Sequence, residues 1–108
     1  MTISTAGTAT GTPVVVLSGR WDAVNAPQLR ETLGDLISRG SYFLVVDMRA
    51  VDFMDSATLA ALVKARTDSL AMGGDVELIA PSAPEAQRIL RLTHFDKIFT
   101  MRDGDGQA

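Results

Sequence analysis

Apolar and polar positions change period several times along the chain, and each change marks an element. Thr2 to Thr8 alternates loosely, Gly11 to Pro13 punctuates, and Val14 to Leu17 is a β-branched run. This predicts a weak edge strand turning back into a stronger one, an N-terminal hairpin. The stretch NAPQLRETLGDLISRG follows, with Asn25 in a capping position, Pro27 near the first turn and Leu29, Leu33, Leu36 and Ile37 on one face. It predicts an amphipathic helix closed by Gly40.

Tyr42 to Met48 is short, aromatic and β-branched, as expected of a central strand covered on both faces. From Ser56, the residues Leu59, Leu62, Val63 and Leu70 recur at helical spacing until Gly73-Gly74, predicting a second helix over roughly 56 to 72. Val76 to Ala80 reads as a buried strand. Pro81 to Pro84 introduces a short helix with Ala86, Ile89, Leu90 and Leu92 inward, and Lys97 to Met101 reads as a last strand. Strand and helix alternate after the hairpin, so the expected fold is α/β: a mixed β-sheet with flanking helices. In such folds function gathers at strand-to-helix loops, here 18 to 26, 48 to 57 and 80 to 84.

Composition narrows the function classes. At 108 residues the chain suits one domain, expected over 1–102, with the polar, Gly-rich 103–108 as a disordered tail. A net charge of -3 without any Lys/Arg block argues against nucleic acid as partner. The longest apolar runs are far short of the roughly 20 residues that span a bilayer, and the first residues lack the features of a signal peptide, so a cytoplasmic protein is expected. There is no cysteine, hence no disulfide, thiol chemistry or Cys-rich zinc site.

Catalytic machinery is sparse. His94 is the sole histidine, so a Ser-His-Asp arrangement would need it to reach Ser56, with Asp55 or Asp22 orienting it, and no G-x-S-x-G elbow is present. Asp47, Asp52 and Asp55 cluster where the third strand ends, and a hard cation could use such carboxylates, but turns and caps use them more often. Neither a Gly-rich phosphate loop nor any cofactor motif appears. Trp21 reads either as a core plug or as an aromatic anchor for a partner, and Met54 either as a gap filler or as a contact surface.

The junction FMDSATL remains. Ser56 or Asp55 at a helix start can accept backbone N–H groups, a cap worth on the order of 1 kcal/mol. The same N-terminus, with unpaired donors and a positive dipole end, would accommodate a phosphate on Ser56. Such a group adds about 1.5 to 2 negative charges beside Asp52, Asp55 and Asp22, and its natural effect is on a partner.

VDFMDSATLAAL after YFLVVDM, with LSGRWDAVNAPQL before and GGDVELIAPSAPEAQRIL after, resembles the STAS domain of bacterial anti-sigma factor antagonists over nearly the whole chain. The resemblance implies that Ser56 is the target of a partner kinase, with Asp55, Asp22 and the Gly73-Gly74 pair matching the family pattern. It implies no enzyme activity and no cofactor. The expected partner is an anti-sigma factor with serine kinase activity, bound while Ser56 is unmodified and released on its phosphorylation. Asp22, Trp21, Met54, Asp55, Ala57 and Thr58 are the expected partner-binding residues. The family also includes scaffold subunits of sensory, transport and lipid-trafficking complexes, in which Ser56 would only cap the helix. The chain departs from the pattern at Ala57-Thr58, where Ser or Thr and then Gly are usual, and at His94, where Gly is common before the last strand. The family's further C-terminal helix is expected to be short or absent, leaving a surface that a second copy or a partner could cover.

Overall fold

The computed structural model describes residues 2–7 and 11–102. Residues 1, 8–10 and 103–108 lie outside them, and with them the expected tail and any short C-terminal helix. One five-stranded sheet holds the strands in sequence order: β1 (Thr2–Gly7), β2 (Pro13–Trp21), β3 (Phe43–Met54), β4 (Asp75–Ile79) and β5 (Thr100–Arg102). β1 runs antiparallel to β2, and the other neighbours are parallel. The mixed sheet and hairpin are as the hydrophobic pattern requires.

Three helices connect the parallel strands: α1 (Ala26–Ser38), α2 (Ser56–Ala71) and α3 (Pro84–Leu92). Leu29 and Leu33 of α1, Leu59 and Leu62 of α2, and Ala86 and Leu90 of α3 share one core with Val15, Leu17, Leu44, Val46, Met48, Val76 and Leu78. All three helices therefore lie on the same side of the sheet, as right-handed crossovers between successive neighbours demand. On β3 the intervening Val45 and Asp47 are buried as well, so this strand is enclosed on both sides.

Half of the apolar face expected of helix α2 turns inward. Leu59, Ala61, Leu62, Ala65 and Ser69 are buried, whereas Val63 and Leu70 are 42% and 48% exposed. Leu59 and Leu62 turn inward beside small residues that let the helix sit close to its neighbours, while Val63 and Leu70 are left outside. Leu92, expected inward, is likewise exposed at the end of α3.

The last crossover also differs from expectation. Lys97 and Ile98 belong to a four-residue helical turn, α4 (Phe95–Ile98), and β5 begins at Thr100. The turn is built on Phe95 stacked on Phe99, ring centres 5.3 Å apart, with Phe99 buried. His94 opens it at φ 62°, ψ 18°, a left-handed conformation that explains why glycine suits this position. The two glycines after α2 have separate duties. Gly73 takes the left-handed turn at φ +83°, while a β-carbon on Gly74 would overlap the carbonyl oxygen of Tyr42.

Candidate functional site

β3 does not end where its apolar run ends. Beyond Met48 it continues to Met54, pairing Ala50 with Ser18, Val51 with Gly19, Phe53 with Arg20 and Met54 with Trp21 across two register shifts. The stretch 48 to 57, expected as a loop, is thus mostly strand. The extension carries Asp55 and Ser56 up beside the end of β2. The Asp55 N–H donates to the Trp21 carbonyl at 3.2 Å, and the Ser82 N–H donates to the Arg49 carbonyl, so all three expected loops meet along β3.

Asp55 is the N-cap of α2. Its backbone is extended, and its Oδ1 accepts the N–H groups of Ala57 at 3.0 Å and Thr58 at 3.2 Å. Its Oδ2 accepts the Ala23 N–H at 3.1 Å, tying the β2–α1 loop to the start of α2. The same loop is fixed internally. The Asp22 N–H donates to Asn25 Oδ1 at 2.7 Å, Asn25 Nδ2 donates to the Arg20 carbonyl at 2.8 Å, and the Val24 N–H donates to Asp22 Oδ1 at 3.0 Å. Asn25 therefore holds the loop and makes no side-chain cap on α1.

With Asp55 as cap, Ser56 is the first helical residue, exposed, and its hydroxyl engages no hydrogen bond among the described residues. The capping role once open to Ser56 is filled by its neighbour. The phosphate seat changes too, because the Ala57 and Thr58 N–H groups are occupied by Asp55. A groove of about 640 Å³ runs from Ser56 down α2, lined by Leu59, Ala60, Val63, Thr67 and Phe95 among others.

Other candidates fall away from this surface. Trp21 is fully buried and donates its indole N–H to the Ser18 carbonyl at 3.0 Å, which makes it a core plug. Met54 and Thr58, each 1% exposed, also offer no side-chain surface to a partner. Burial decides these three. Thr58 Oγ1 is buried without a hydrogen-bond partner. Ala57 and Asp22 are half-buried, and Asp22 also receives Arg20 Nε at 3.1 Å. Arg20 in turn lies 4.1 Å above the Phe53 ring.

The carboxylates do not converge on a metal site. Among the described residues no three His, Cys, Asp or Glu side chains are grouped to hold one. Asp47 is buried against Arg49, whose guanidinium reaches it at 2.7 Å. Side-chain hydrogen bonds from Arg49, helped by its backbone N–H and charge, hold the Asp47 carboxyl below the ordinary range despite burial. No described hydrogen bond joins Ser56 to His94, or His94 to a carboxylate, so the Ser-His-Asp arrangement is not assembled. No helix among the described residues is long and apolar enough to cross a membrane.

The STAS domain family model matches residues 5–108. The chain belongs to the STAS domain family. Solved structures with this fold include an anti-sigma factor antagonist from Mycobacterium paratuberculosis, 29% identical with a TM-score of 0.76, over 93% of this chain and 85% of that one. A STAS domain protein from Planctomyces limnophilus, described as an anti-sigma-factor antagonist, is 18% identical with a TM-score of 0.80, over 95% and 91%. The anti-sigma factor antagonist SpoIIAA in its unphosphorylated form is 20% identical with a TM-score of 0.75, over 95% and 89%. Its phosphorylated form, from Bacillus, has a TM-score of 0.73 at 18% identity. The STAS fold accounts for the sheet order and helix placement described above.

Proposed function

We propose that this STAS protein is an anti-sigma factor antagonist that works by partner switching in the cytoplasm. Unmodified, it binds an anti-sigma factor that has serine kinase activity. Ser56 Oγ then takes the γ-phosphoryl group of ATP held by that partner, the bond to the bridging oxygen breaking to leave ADP and the hydroxyl proton being released, and the complex separates. The chain is the substrate of this step and carries no catalysis of its own. The solved relatives that are anti-sigma factor antagonists support the general role, SpoIIAA among them in phosphorylated and unphosphorylated forms.

The observation that carries the reading is the unengaged Ser56 hydroxyl, exposed beside a carboxylate that has taken over the capping. A phosphate there adds about 1.5 to 2 negative charges. The Ala57 and Thr58 N–H groups already belong to Asp55, so the new charge is left on a surface that holds Asp22 and Asp55. It acts outward, by repulsion and bulk against whatever covers Ser56 and the adjoining groove. The fold beneath, with its cap intact, is not part of the switch.

Capture from native lysate with the wild-type chain, Ser56→Ala and Ser56→Asp tests this. A kinase-class partner held by the first two and lost with the third supports switching. Equal capture by all three contradicts it and favours a scaffold subunit.

A further inference from the structure

Trp21 was the expected apolar anchor of the β2–α1 loop, and it is buried. Three residues on, Val24 is 89% exposed, the most exposed large apolar side chain among the described residues. We propose that Val24 is the anchor by which the partner recognises this chain, inserting into an apolar pocket rimmed by Lys or Arg. The inference rests on the partner-switching reading and names a specificity-determining residue within it.

Isolated exposed valines are ordinary on protein surfaces. This one differs in how firmly it is presented. Its own N–H is held by Asp22, the preceding Ala23 N–H by Asp55, and the turn is closed by Asn25 and by Ala26 N–H donating to the Asp22 carbonyl at 2.8 Å. No side-chain packing rewards that rigidity, because Val24 projects into solvent. A rigid apolar tip loses little freedom on binding, which is how a small contact gains affinity.

The surroundings specify the partner's chemistry. Asp22 and Asp55 form the base of the loop; Arg20 pairs with Asp22, and Asp55 has no cationic partner among the described residues. The surface about Val24 is therefore acidic, and a complementary surface carries basic groups around an apolar pocket. The Ala23–Asp55 hydrogen bond keeps this anchor in fixed relation to Ser56, one residue past Asp55. A phosphate on Ser56 thus arises at the margin of the same contact.

The test is isothermal titration of the purified anti-sigma factor recovered with the wild-type chain. Val24→Ala is expected to weaken binding about tenfold, as loss of two buried carbons implies, and Val24→Asp more severely. Val24→Ile should bind within about threefold of wild type, since it keeps the apolar tip. All three should melt with the wild type, because Val24 is almost wholly exposed. Wild-type affinity should also fall between about 50 and about 300 mM salt. Unchanged affinity in Val24→Ala and Val24→Asp overturns the anchor, and salt-independent binding overturns the basic rim. If no Ser56-dependent partner is recovered at all, the partner-switching reading fails and takes this inference with it.

Discussion

Asp55 Oδ2 accepts the Ala23 N–H at 3.1 Å across 32 residues of sequence, while Oδ1 of the same carboxylate caps α2. One side chain thus sets the helix start and fixes the neighbouring loop against it. Replacing Asp55 by Ala removes both functions and is expected to cost about 2 kcal/mol in chemical denaturation. Amide exchange at Ala23 should accelerate more than exchange in the sheet. If Ala23 stays as protected as in wild type, the clamp is not what holds the loop.

Thr58 occupies the position where the family pattern has glycine, yet its side chain is buried. Its hydroxyl is buried with no hydrogen-bond partner, a state that costs free energy relative to an apolar group of the same shape. Thr58→Val is expected to stabilise the chain by about 1 kcal/mol, since Thr and Val differ little in helix propensity. Partner affinity should be unchanged. A loss of affinity without loss of stability would put Thr58 at the interface after all.

Asp47 sets part of the acid limit. Its folded-state pKa lies below the ordinary value of 3.8, so the contribution is complete above that value and disappears as pH falls through the folded pKa. At neutral pH the Asp47→Asn variant is expected to be less stable than wild type, with the gap closing below about pH 3 to 4. Urea midpoints measured across that range check it. A gap that persists unchanged at low pH would assign the effect to packing.

Much of this fold was legible because periodicity reports burial. Leu29, Leu33 and Ile37 marked α1, and the run Tyr42 to Met48 marked the central strand. The second half of β3 was hidden because Arg49, Ala50 and Asp52 resemble a loop, and the pairing of Ala50 to Met54 with β2 follows two register shifts that no local pattern signals. Helix α2 misled in a different way. Its core face uses Ala61, Ala65 and Ser69, small residues that hydropathy undervalues, while Val63 and Leu70 stand outside.

The candidate site was half legible. Asp55 and Ser56 stood out in FMDSATL, but which of them caps depended on backbone geometry alone. Trp21 stood out as well, for the wrong reason: a large aromatic at a strand end is conspicuous whether it plugs the core or meets a partner. Val24 gave no signal in the sequence beyond being apolar within a turn. Its exposure follows from Asp22 and Asn25 folding the loop beneath it, a tertiary arrangement.

The central claim is that modification of Ser56 changes the partner's grip and leaves the fold alone. The direct measurement is titration of the purified anti-sigma factor with three forms of the chain: unmodified, Ser56→Ala, and phosphorylated on Ser56, each with its thermal unfolding recorded. The first two are expected to bind alike, the phosphorylated form to bind at least about 100-fold more weakly, and all three to unfold at nearly the same temperature. Equal binding by the phosphorylated form, or weaker binding matched by a lowered unfolding temperature, would contradict it.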